Sequence, residues 1–210
     1  MPIKNIIFDW SGVICDDHKT VYETCMKVFG RFDVKAISYD EFKETFELPY
    51  ENFNRRYHDR PFAEIKSTYD EECRTTPLPE AFPDAKKTLV EIKKLGISIY
   101  LFTSMSNKRL KKESDKIGLS SMFNSIRSDV KDKIKEIKSW IEENRIKPAD
   151  TIYVGDMVHD IRAAKEAGIR SVAVTRGYDS KDKLLAEEPD FLIDELSKLL
   201  EIIKSKSGHD

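Results

Sequence analysis

Four short apolar runs in this chain each end abruptly on small polar or acidic residues, and this pattern narrows the fold more than any other feature. Ile6-Ile7-Phe8 stops at Asp9, and Ile99-Tyr100-Leu101-Phe102 stops at Thr103-Ser104. Thr151-Ile152-Tyr153-Val154 stops at Gly155-Asp156, and Ser171-Val172-Ala173-Val174 at Thr175. Such runs, β-rich and apolar on both faces, fit strands covered on both sides in a parallel sheet. Between the later ones lie helical-length stretches at 84–95, 107–117, 132–144 and 158–167, with Gly96 and Gly168 as stops. Strands alternating with helices predict an α/β fold, a doubly wound, Rossmann-like parallel sheet.

Residues 15–81 break that rhythm. No strand-like run occurs there, but helical periodicity does, at Val21, Cys25, Val28 and Phe29, at Phe42 and Phe46, at Phe53 and Tyr57, and at Phe62, Ile65 and Tyr69. The run Pro77-Leu78-Pro79 closes the interval and stiffens the return. The expected organisation is a core domain of residues 1–14 and 82–210, with a small all-helical cap, residues 15–81, inserted after the first strand. A chain of 210 residues with 40% hydrophobic content can fill such a core despite 35% charged residues. The C-terminal Lys204–Gly208 is expected to fray.

Charge and cysteine content exclude several function classes. With 36 basic against 38 acidic residues the net charge is −2, which leaves no electrostatic footprint for nucleic acid or an anionic membrane face. No apolar stretch approaches the ~18 residues that span a bilayer. The N-terminal segment lacks the features of a signal peptide. Cys15, Cys25 and Cys73 are odd in number and form no C-x-x-C pair, which argues against a disulfide framework or a cysteine zinc site and for a reducing, cytoplasmic setting. Oligomeric state is left open.

In an open parallel sheet, ligands bind outside the carboxyl ends of the strands. Asp9, Thr103 and Asp156 all occupy such ends and should converge on one crevice. Each alone reads as a turn residue leaving a strand. Together with Asp160, one helical turn beyond Asp156, they read as a site. Clustered carboxylates repel one another and need a cation, and oxygen ligands without a Cys or His partner suit Mg2+. His159 reads as a solvated helix residue rather than a ligand.

The segments Phe8-Asp9-Trp10-Ser11-Gly12-Val13, Phe102-Thr103-Ser104, Lys131-Asp132-Lys133-Ile134 and Val154-Gly155-Asp156-Met157-Val158-His159-Asp160 resemble, in order, the four motifs of the haloacid dehalogenase superfamily. Val174-Thr175-Arg176-Gly177-Tyr178 and Pro189-Asp190-Phe191-Leu192-Ile193-Asp194 resemble its phosphoglycolate-phosphatase-like branch, which carries its cap where the helical insert lies. The resemblance implies a hydrolase acting on a small phosphorylated metabolite. Asp9 would be the nucleophile that forms an aspartyl-phosphate. Asp9, Asp156 and the carbonyl of Ser11 would hold Mg2+, with Asp160 in or near the surrounding shell. Thr103 would bind the transferring phosphoryl oxygens, and a lysine would neutralise both nucleophile and phosphoryl group. Counting back from Asp156 reaches either Lys133 or Lys131, with Lys133 preferred.

One position departs from the family. Its phosphatases carry a second aspartate two residues after the nucleophile, as general acid and base, and here that residue is Ser11. An alcohol titrates far outside the useful range, and loss of general acid–base catalysis costs ~10²–10⁴ in rate. Three readings follow: a phosphatase slow on alkyl phosphates, different chemistry on the same scaffold, or a catalytically silent binding protein. Asp9-Trp10-Ser11-Gly12 resembles the Asp-Trp-Ala-Gly of phosphonoacetaldehyde hydrolases. Those enzymes, however, need a cap lysine, and residues 48–56 contain none. In the cap, Arg55, Arg56, His58 and Arg60 form the densest basic cluster, read as a solvated helix face balanced by Glu51 and Asp59.

Overall fold

The computed structural model describes residues 2–207. They fall into two compact units, one running through Asp16 and resuming at Glu80, the other comprising Asp17–Pro79. The first unit is built on strands β1 (Asn5–Phe8), β2 (Cys15–Asp16), β3 (Glu80–Ala81), β4 (Ser98–Phe102), β5 (Ser125–Arg127), β6 (Thr151–Gly155), β7 (Arg170–Val174) and β8 (Phe191–Ile193). Six of these form one sheet in the order β5-β4-β1-β6-β7-β8, with every pairing parallel. β2 and β3 pair antiparallel as a separate ribbon through which the chain leaves the first unit and returns. The sequence shows no strand-like run at Cys15–Asp16, because two residues are too few to establish a period.

Alternation along β1 explains why its apolar run is unbroken. Ile6 and Phe8 enter one hydrophobic cluster, with Leu89 and Ile92 of α5 (Ala85–Lys94), Leu110 of α6 (Asn107–Ile117) and Leu199 of α10 (Leu199–Ser207). Ile7 faces the opposite cluster, with Ile137 and Trp140 of α7 (Lys133–Glu143) and Ala163 of α8 (Val158–Glu166). Ile161 and Ala173 pack with Leu184 of α9 (Lys181–Ala186). Each fully buried Ile or Phe contributes about 1.5–3 kcal/mol, so both faces of the strand must be apolar. α10 runs through Ser207, so the expected fraying does not begin at Lys204; Gly208 lies outside the described residues.

Strand order reverses at β1. From it the chain goes first to β4 and β5 on one side, then to β6, β7 and β8 on the other. Phe8 is level with Leu101 of β4 and with Val154 of β6, so the residues just beyond these three strands share one edge of the sheet. A topological switch point of this kind opens a ligand crevice.

The second unit holds α1 (His18–Arg31), α2 (Tyr39–Thr45), α3 (Tyr50–Arg55) and α4 (Phe62–Glu72). Aromatic rings fill its interior: Phe42 lies 4.8 Å from Phe46, and Phe29 lies 5.1 Å from Tyr57. Of the basic cluster singled out in the sequence, Arg55 pairs with Glu51, Arg56 with Glu47 and Arg60 with Glu64. His58 is not part of a solvated face. It is buried edge-on against Phe29 and Phe32. No helix of the described residues is long and apolar enough to cross a membrane.

Candidate active site

Three loops at the carboxyl ends of β1, β4 and β6 bring Asp9, Thr103 and Asp156 together, all buried. Asp9 directly follows β1. Its Oδ1 accepts the backbone N–H of Trp10 at 2.7 Å, and its Oδ2 lies 2.7 Å from the Nζ of Lys133. The Thr103 hydroxyl also hydrogen-bonds this carboxylate and in turn accepts the N–H of Met105. Burial raises the Asp9 carboxyl above its usual range; Lys133 opposes that shift and Asp160 adds to it.

Lys133 is the only charged residue of the first turn of α7 to turn inward, because Asp132 caps the helix just before it. The Asp132 side chain accepts the N–H groups of Ile134 and Lys135, which starts the helix at Lys133. The side chain of Lys133 is fully buried, with Nζ 2.7 Å from both Asp9 and Asp160. Burial alone would lower its pKa, but the two carboxylates overcome that and raise it. Lys131 lies outside the helix and is exposed, its N–H bonded to Glu136.

Asp160 spends both oxygens on the protein. Oδ1 takes Lys133 and the Tyr153 hydroxyl, while Oδ2 accepts the N–H groups of Asp156 and Met157. Asp156 differs. Its Oδ2 accepts the Tyr178 N–H at 2.6 Å, but its buried Oδ1 has no hydrogen-bond partner among the described residues. Burial, with Asp160 and Asp9 nearby, raises the Asp156 carboxyl well above its usual range.

Glycines permit this crowding. A Cβ on Gly12, whose φ is +70°, would fall 2.2 Å from Asp156 Oδ2, and one on Gly177 would fall 2.1 Å from the same atom. Only a residue without a side chain lets the backbone press so closely on a carboxylate. Ser11, half-buried, sits in the turn between Asp9 and this glycine.

Asp9, Asp156 and Asp160 offer carboxylate oxygens that all lie within 4.8 Å of one another. Fully ionised, they would carry −3 against +1 on Lys133, two charges short of balance. A divalent cation would correct that deficit, and the orphaned Oδ1 of Asp156 would be free to meet it; buried charges are tolerated only when paired or bound to metal. The donor set is all oxygen, which suits Mg2+.

Two features escape sequence reasoning. His159, read there as solvated, is buried, and its Nε2 accepts the N–H of Lys133 at 3.0 Å. Burial, then the Lys133 cation, lowers its pKa and favours the neutral form that can accept. The first turn of α8 enters the crevice, so even its polar residues are enclosed. The other feature is Glu113, also buried. Its Oε2 accepts the indole N–H of Trp10 at 2.8 Å, and its Oε1 pairs with Arg109. It therefore holds the residue following Asp9 from the α6 side. A buried Trp needs an acceptor, and that is the one signal in the sequence that could have pointed to such a partner.

Residues 6–174, most of the chain, match the family described as haloacid dehalogenase-like hydrolase. A phosphoglycolate phosphatase from Vibrio vulnificus is 30% identical over 67% of this chain, which spans 65% of that relative's length. A pyrophosphatase, PpaX, from Bacillus mycoides is 22% identical over 99% of this chain and 100% of its own. In fold the chain is similar to a haloacid dehalogenase-like hydrolase from Streptococcus pneumoniae, with a TM-score of 0.86 at 19% identity, covering 95% of this chain and 98% of that one. By the family match over most of its length, the chain belongs to the haloacid dehalogenase-like hydrolases.

Proposed function

We propose that this protein is a Mg2+-dependent phosphatase that hydrolyses a small phosphate ester through an aspartyl-phosphate on Asp9. The observation that carries this reading is the buried arrangement of one carboxylate gripped by a lysine beside another with an unpartnered oxygen. Relatives named for phosphoglycolate and pyrophosphate cleavage support a small phosphorylated substrate.

Asp9 Oδ2 is the nucleophile: a carboxylate fixed at Oδ1 by the Trp10 N–H and aimed by Lys133 and Thr103. Lys133 neutralises the carboxylate as the phosphoryl group approaches, so an incoming dianion does not meet three uncompensated acids. Thr103 can redirect its hydroxyl from Asp9 to a phosphoryl oxygen. Asp160, with both oxygens engaged, acts by holding Lys133 and the Asp156 loop. Asp9, Asp156 and the Ser11 carbonyl would hold the metal, which when bound supplies positive charge for the phosphoryl oxygens. Neither Ser11 nor Thr103, both alcohols that titrate far from neutral pH, can serve as an efficient general acid or base.

Metal binding is testable without turnover. At about one hundred times its dissociation constant, Mg2+ adds about 2.7 kcal/mol, or roughly 5–10 °C in Tm for a chain of this size. Asp156→Asn should abolish that increment while making the metal-free protein more stable. The sign follows from linkage: the folded pKa of Asp156 is raised, so its contribution is present in acid and lost as pH rises through the folded value. Metal-free wild type should therefore melt lower at about pH 8 than at about pH 5, with the slope reduced in Asp156→Asn. Thermal melts of both proteins, with and without Mg2+, check this. No Mg2+ shift in wild type, together with no Mg2+-dependent phosphate release from p-nitrophenyl phosphate, would overturn the proposed function.

A further inference from the structure

Most polar side chains around Asp9 in the core unit are already engaged. Lys133 is held as a cation between two carboxylates. Asp160 has no oxygen to spare. The Tyr153 phenol is buried and donates to Asp160 Oδ1. Asp156 receives the Tyr178 N–H on one oxygen, and the other, without a partner among the described residues, is the one available to a cation. His159 has its Nε2 on the Lys133 amide. The Trp10 indole is bound to Glu113. What remains beside Asp9 among the described residues of the core unit is two alcohols, Ser11 and Thr103.

From this inventory we infer that the enzyme is selective for phosphate donors with weakly basic leaving groups, acyl phosphates, phosphoanhydrides and aryl phosphates, and that it accumulates as the phospho-Asp9 form during turnover. The inference rests on the phosphatase reading above and adds substrate class and rate-limiting step to it.

The two half-reactions differ in what they need. In the first, a bond forms from Asp9 Oδ2 to phosphorus, the bond from phosphorus to the leaving oxygen breaks, and the electron pair departs with that oxygen. A carboxylate, phosphate or nitrophenolate carries the pair without a proton, whereas an alkoxide does not. In the second, water oxygen bonds to phosphorus and the Asp9 oxygen leaves as a carboxylate, again without a proton. The attacking water, however, must release a proton, and with no free side-chain base beside Asp9 among the described residues of the core unit that proton goes to bulk solvent. General acid–base help is worth ~10²–10⁴, so its absence slows the first step only for poor leaving groups and the second step for every donor.

Rapid-quench kinetics of the full chain with Mg2+ test this on p-nitrophenyl phosphate, on aryl phosphates of graded phenol acidity, and on glycerol phosphate. The expected result is a burst of about one nitrophenolate per chain, then a steady rate ~10²-fold or more slower. The steady rate should be the same across the aryl series, and glycerol phosphate should turn over without a burst. Ser11→Asp should shrink the burst and raise the steady rate. Linear release without a burst in wild type, with the steady rate tracking phenol acidity, overturns the inference and leaves the phosphatase reading standing. No nitrophenolate release at all in wild type overturns both.

Discussion

Asp9→Asn is expected to lower phosphate release by on the order of 10⁶, to the limit of detection, because an amide oxygen cannot form the acyl phosphate. The fold should survive. Asn keeps an oxygen for the Trp10 N–H, Lys133 keeps its 2.7 Å partner in Asp160, and the variant removes a carboxylate whose ionisation burial already disfavours. Phosphate release and a thermal melt on the same preparation separate loss of the nucleophile from loss of structure. Near-native turnover in a folded Asp9→Asn protein would contradict a covalent mechanism.

Lys133→Met carries the largest expected stability loss, about 3–5 kcal/mol near neutral pH, because it leaves two buried carboxylates without their cation. Activity should fall with it, since a phosphate dianion would then face the acids unshielded. The stability loss should shrink in acid. Without the lysine, the folded pKa of Asp9 rises further above its unfolded value, so protonation restores the variant as pH falls. Denaturant melts of wild type and Lys133→Met at about pH 5 and about pH 8 measure the difference. Lys131→Met, altering an exposed side chain, should change stability by less than about 0.5 kcal/mol.

The parallel sheet is legible in the sequence because doubly covered strands cannot alternate: Ile6, Ile7 and Phe8 must all be apolar when both clusters need filling. β5 and β8 are harder to see. Each has three residues, and Ser125-Ile126-Arg127 at the sheet edge carries a single apolar side chain. That Asp9, Thr103 and Asp156 meet follows from strand ends sharing one edge, a consequence of topology rather than of local chemistry. The choice between Lys131 and Lys133 is another matter, since two lysines flanking one aspartate look alike until the Asp132 cap fixes where the helix begins. His159 and Glu113 are opaque for a related reason. Both lie in charged helical segments whose polarity suggests solvent, and only the tertiary fold encloses them, His159 over the Lys133 amide and Glu113 under the Trp10 indole. The free oxygen of Asp156 is likewise a property of packing, set by the close approach of Gly12 and Gly177 to its neighbour atom.

Covalent chemistry at Asp9 is most directly tested by trapping. The full chain is mixed with Mg2+ and p-nitrophenyl phosphate, quenched in acid within the first turnovers, digested, and mapped by mass spectrometry. The expected result is one phosphoryl group on the peptide containing Asp9, removed by hydroxylamine and absent from Asp9→Asn. Turnover with no phosphorylated peptide, or with the phosphoryl group on any other residue, would contradict the role given to Asp9.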